Sequence, residues 1–117
     1  MTVATPSEIR LSADKRTLTV SFGDAERHEL SAELLRVESP SAEVQGHDPS
    51  AKKTVPGKSS VTIRQIEPVG NYAVRLVFDD GHDTGIYSWS VLHRLAKEGE
   101  TLFAAYLRAL EEKGLSR

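Results

Sequence analysis

Between Thr17 and Phe22 the chain reads TLTVSF, with Leu18, Val20 and Phe22 alternating against Thr17, Thr19 and Ser21. That period of two predicts a half-buried β-strand with one dry face. A shorter stretch, Glu8–Leu11 (EIRL), precedes it across the polar turn SADKR, and Gly23-Asp24 turns the chain into a third strand over Arg27–Leu30. Ser31 is a suitable N-cap for one or two helical turns over AELLRV. From Glu38 to Ser60 periodicity stops. This stretch holds three of the five Pro and reads as one long loop, of a length that in compact domains accompanies function.

A second strand set begins at Val61-Thr62-Ile63, with a slip of phase near Gln65-Ile66 that predicts a bulge. Gly70-Asn71 predicts a two-residue hairpin turn. Tyr72, Val74, Leu76 and Phe78 then alternate with Ala73, Arg75 and Val77, and Asp79–Asp83 turns the chain into a strand over Thr84–Tyr87. The last third is helical. Ser88 caps a helix carrying Trp89, Leu92 and Leu95, Gly99 is read as its end, and a second helix over about 100–114 carries Leu102, Phe103, Tyr106, Leu107 and Leu110. Gly114 is the expected C-cap. These aromatics are read as core. The order of elements predicts an α+β fold: one domain over 1–117, antiparallel hairpins with helices packed on one face.

Composition narrows the chemistry. The chain has 117 residues, enough for one self-sufficient core, and no Cys. Disulfides, thiolate metal sites and a Cys nucleophile are therefore excluded. With 15 basic and 17 acidic residues, and no basic run longer than the pairs Lys15-Arg16 and Lys52-Lys53, nucleic acid is not an expected partner. No apolar run approaches the roughly 20 residues that span a bilayer, and MTVATPSEIR lacks the order of a secretory signal. A cytoplasmic location is expected, with no membrane partner.

Candidate chemistry concentrates in DDGHDTGIYSW at 79–89, with three Asp, one His, a Tyr and a Trp. The plain reading is a turn: Asp caps backbone N–H groups, Gly81 takes positive φ, and Tyr87 and Trp89 anchor the corner to the core. The sharper reading is a metal site, in which His82 joins His47 from the long loop, with Glu43, Asp48, Asp80 or Asp83 assisting. A third reading is acid–base chemistry by Asp79, Asp80 and His82 in a small hydrolase or isomerase. PGKSS at 56–60 is not a phosphate-binding loop, because position 52 is Lys and a strand follows. No G-x-S-x-G elbow is present. His28 and His93 read as solvated.

Two motifs in combination resemble a known family. LLRVESPSAEVQGH at 34–47 contains LR-x₃-P, and IEPVGNYAVRLVFDDGHDTGIYSWSVL at 66–92 contains DGH-x₂-G-x-Y-x-W. With the hairpin start at 8–30, these resemble the gamma-butyrobetaine hydroxylase-like N-terminal domain, or DUF971, family over about 6–97. The resemblance implies a module that in the hydroxylases precedes an iron- and 2-oxoglutarate-dependent oxygenase domain. It also implies a structural zinc held by three Cys and one His. The His matches His82, while the Cys positions fall on Ser39, Ser41 and Val44. The shape is thus expected without the zinc, and no cofactor is expected. A hydrogen bond from His82 to the loop's backbone or to a carboxylate is expected to do the fastening. The function implied is that of a non-enzymatic, stand-alone interaction module of bacterial type, binding a protein partner in iron–sulfur or 2-oxoglutarate oxygenase metabolism. The corner of Asp80, Gly81, His82, Tyr87 and Trp89 would face that partner.

Overall fold

The computed structural model describes residues 5–23, 26–46 and 52–117. Its elements run β1 (Glu8–Leu11), β2 (Thr17–Phe22), β3 (Glu26–Ser31), α1 (Ala32–Val37), α2 (Ala42–Gln45), β4 (Ile63–Val69), β5 (Ala73–Phe78), β6 (Gly85–Ser88) and α3 (Trp89–Glu112). The strands form two antiparallel three-stranded sheets, β1-β2-β3 and β4-β5-β6. The class is α+β, as the pattern of the chain predicts.

Alternation fixes the buried faces. Leu18 and Val20 are fully buried and Phe22 nearly so, while Thr17, Thr19 and Ser21 are half-buried. On β5 the buried set is Val74, Leu76 and Phe78, joined by Ala73. Both sheets feed one apolar cluster, which Leu34 and Leu35 of α1 and Leu92 and Leu95 of α3 complete. The sheets are tied by a backbone bond from Ile63 N–H to the Lys15 carbonyl, 2.9 Å. The register of β4 on β5 shifts between Ile63 and Gln65, so the bulge lies at the foreseen place.

Both serine caps form as predicted: the Ser31 hydroxyl accepts from Leu34 N–H and the Ser88 hydroxyl from Val91 N–H. At the far end of α3, Leu115 N–H bonds to the Leu110 carbonyl and Gly114 N–H to that of Glu111. Gly114 itself takes φ +67°, the left-handed residue that this closure requires.

Three expectations need correction. Gly99 does not end a helix, and α3 is one continuous rod of 24 residues. At Gly99 the helix passes close over α1, where a Cβ would stand 3.1 Å from Leu34 Cδ2. The residue is small for packing, not for capping. The β4–β5 connection has three residues, because Val69 pairs with Ala73, which leaves Tyr72 58% exposed in the turn. The segment after Glu38 is not all loop: Ser41 caps the single turn of α2, too short to show periodicity. His28 and His93 are half-buried, both within reach of the Glu26 carboxylate and both edge-on to Phe22.

Candidate functional site

The corner of the opening motif is built around two aspartates that serve backbone geometry. Asp79 Oδ1 accepts from Thr62 N–H at 3.1 Å, and Asp80 Oδ1 accepts from His82 N–H at 3.0 Å. The other Asp80 oxygen meets Lys58 Nζ at 2.6 Å and Arg36 Nε at 2.8 Å. Burial alone would raise the Asp80 pKa, but Lys58, the His82 N–H and Arg36 together hold it well below the usual carboxylate range. Gly81 makes the turn with φ +92°. Among the hydrogen bonds of the described residues, neither Asp79 nor Asp80 reaches the His82 imidazole, so the acid–base cluster proposed from the sequence is not assembled.

What reaches the imidazole comes from the segment between α1 and α2. His82 is 5% exposed. Its Nδ1 lies 3.0 Å from Glu43 Oε2 and its Nε2 lies 2.8 Å from Ser39 Oγ. A carboxylate only accepts, so Nδ1 carries the proton. The neutral ring then accepts at Nε2 from the Ser39 hydroxyl. Burial, seconded by the Arg36 charge, pushes the His82 pKa down, against a smaller opposing pull from Glu43. The neutral ring is thereby favoured. The Ser39 oxygen accepts in turn from Ser41 N–H at 3.3 Å, and the Ser41 hydroxyl pairs with that of Thr84 at 2.6 Å.

The walls of this node are close. Ser39 is fully buried, and Ser41 and Val44 are 7% and 2% exposed. A Cβ on Gly85 would stand 2.6 Å from Ser39 Oγ and 3.0 Å from Tyr87 Cε1, so only glycine admits the serine there. Tyr87 is fully buried and donates its O–H to the Leu35 carbonyl. Burial drives its own pKa up. Trp89 is half-buried and donates Nε1–H to the Asn71 carbonyl at 2.9 Å. Both aromatics are anchors with satisfied polar ends.

The structure thus brings His82, Ser39, Ser41 and Glu43 together, as the resemblance implies for the first three, and Val44 is buried on the same short helix as Glu43. His47 and Asp48 lie outside the described residues. Sequence reasoning did not find Arg36 and Lys58 on Asp80, nor Thr84 on Ser41. Arg36 sits in the LR motif, but nothing in its spacing points to a carboxylate 44 residues away.

The donor set does not fit the zinc that the resemblance implies. Val44 offers no donor, and the proton of Ser39 is committed to His82. Nitrogen and oxygen ligands of a tetrahedral zinc stand about 3.3 Å apart, given bonds near 2.0 Å. The 2.8 Å between Nε2 and Oγ is instead a direct hydrogen bond. Glu43, His82 and Ser39 do have the connectivity of an acid–base–nucleophile relay. The hydroxyl is sealed, however, because Ser39 has no exposed surface.

Comparison with known proteins agrees with the motifs. A family model described as "Gamma-butyrobetaine hydroxylase-like, N-terminal" matches residues 9–93. The chain is similar to a protein solved by NMR at 44% identity and TM-score 0.85, covering 99% of this chain and 91% of that one. It is similar to a second NMR structure at 48% identity and TM-score 0.83, covering 99% and 86%. A crystal structure of a DUF971-family protein of unknown function from Acidithiobacillus ferrooxidans is 40% identical with TM-score 0.64, covering 79% of this chain and 92% of that one. No curated protein matches.

Proposed function

The chain belongs to the gamma-butyrobetaine hydroxylase-like N-terminal family, and on that footing we propose that it is a non-enzymatic interaction module. It works in the cytoplasm, and its partner is a protein of iron–sulfur or 2-oxoglutarate oxygenase metabolism. The observation that carries this reading is the commitment of every reactive group at the corner to its own architecture. Ser39 is sealed, both nitrogens of His82 are engaged, and Asp80 is held by two cations. What remains outward at the corner is a surface of Gly81, Asp83, the outer part of Glu43 and the exposed apolar side chain Ile86, at 47%, while Tyr72, at 58%, stands at the opposite end of β5. Exposed apolar and aromatic groups beside a polar rim are what a protein contact uses. The partner class follows from the family resemblance alone. No helix among the described residues is long and apolar enough to cross a membrane.

The test is parallel affinity capture with the natural sequence and with Ile86→Glu. One protein retained by the first and lost from the second, with both variants melting alike, is the expected result. Repeated capture with no partner that distinguishes the two would sink the reading.

A further inference from the structure

We infer that a chain of hydrogen bonds, Glu43 to His82 to Ser39 with Ser41 to Thr84 beside it, replaces metal coordination as the fastener between the α1–α2 segment and the β5–β6 corner. The inference does not rest on the partner reading above. It starts from where the groups sit. Ser39 and Ser41 lie in the joint between two short helices, and His82 and Thr84 lie in the connection from β5 to β6. Two bonds, each spanning 43 residues of sequence, join these segments side by side: Ser39 Oγ to His82 Nε2 at 2.8 Å and Ser41 Oγ to Thr84 Oγ1 at 2.6 Å. Glu43 closes the outer side at 3.0 Å from Nδ1.

The chain is complete. Nδ1–H donates to the carboxylate, the Ser39 O–H donates to Nε2, and the Ser41 N–H donates to Ser39 Oγ. Both ring nitrogens are satisfied, which a buried imidazole requires. The Ser39 carbonyl is also taken, by Gln45 Nε2 at 2.8 Å. An ion entering would have to displace a satisfied contact on each side and would find hydroxyls and an isopropyl group in place of thiolates. The backbone nevertheless brings side chains 39 and 82 into direct contact in one buried place, with Ser41 and Val44 buried on the same short segment. The fold therefore keeps the cage, while its side chains change the means of closing it.

The experiment melts the full chain with EDTA, without addition and with equimolar zinc, beside E43A and the triple variant S39C/S41C/V44C. For the natural sequence the three curves are expected to coincide. A midpoint lowered by chelator, or near-stoichiometric metal in the purified protein, would overturn the inference. Glu43→Ala, which removes the acceptor of Nδ1–H, is expected to lower the midpoint by a few degrees, equally with and without chelator. An unchanged midpoint would remove Glu43 from the fastener. The triple variant is expected to bind one zinc with His82 and to gain about 10 °C or more from it, or to fold only when zinc is present. Failure to take up zinc in either state would show that the four positions do not form one cage and would overturn the account.

Discussion

The segment from Glu38 to Ser60 is pinned near both ends by different means, apart from the Lys58–Asp80 ion pair that returns it to the corner. At its start, Ser39, Ser41 and Glu43 enter a buried polar node closed by His82 and Thr84. At its end, Val55 packs against Tyr106 in a small apolar cluster with Val37 and Leu110. There the Val55 carbonyl accepts the Tyr106 O–H at 2.7 Å, Lys113 reaches Thr54 at 3.0 Å, and Gly57 N–H bonds to the Ser116 carbonyl at 3.0 Å. A satisfied polar node has one good geometry, and removing one member strands the others in a dry place. An apolar clasp with exposed polar contacts loosens by degrees. The first end should therefore fail sharply, and the second gradually.

The largest effect is expected from His82→Ala. It leaves Ser39 without its acceptor and opens a buried void, at a cost of about 3 kcal/mol. Amide exchange should accelerate over 41–45 while the Gly57 N–H, bonded to the Ser116 carbonyl, stays protected. Loss of protection at both ends together would break the distinction. Gly85→Ala is next. Its methyl would press on Ser39 Oγ at 2.6 Å and on the Tyr87 ring, an overpacking cost of about 2 kcal/mol that thermal unfolding reads. Tyr106→Phe removes one hydrogen bond at the other end, worth about 1 kcal/mol. Here exchange should accelerate at the Gly57 N–H and not over 41–45.

The smallest effect is on the pH profile. Burial holds the His82 pKa below the ordinary histidine value of 6.5. The unfolded chain therefore binds the proton first as pH falls. The stability is intact above pH 6.5 and declines as pH drops below it towards the folded pKa. Asp80, depressed below 3.8, acts with the same sign at lower pH, where its ion pairs with Lys58 and Arg36 are lost. A denaturant series from pH 7.5 to 5 should show the decline begin near 6.5 in the natural sequence and be weakened in His82→Ala. A profile that rises toward pH 5 would contradict the neutral ring.

Much of the frame was legible in the sequence. Strict alternation placed β1 and β2, and Ser31 and Ser88 announced their helices through capping chemistry. Gly99 misled because glycine serves two purposes: it ends helices, and it lets one helix approach another. The role of His82 was only half legible. A carboxylate partner was expected, and Glu43 was among the groups near it. Ser39 was visible only as a position that had lost a thiol. That its hydroxyl completes the imidazole depends on Gly85 leaving room, a contact between residues 46 apart that no local pattern encodes. The clasp by Tyr106 was invisible for the same reason, since its partner Val55 lies 51 residues away.

If His82 is the neutral, metal-free bridge inferred above, it is protonated at Nδ1 alone. Long-range ¹H–¹⁵N correlation of the imidazole at pH 7 reads this state. A single Nδ1–H tautomer is expected for His82, unchanged by EDTA, with Nε2 shifted as an acceptor. An imidazolium, an Nε2–H tautomer, or a nitrogen shift that EDTA abolishes would contradict it.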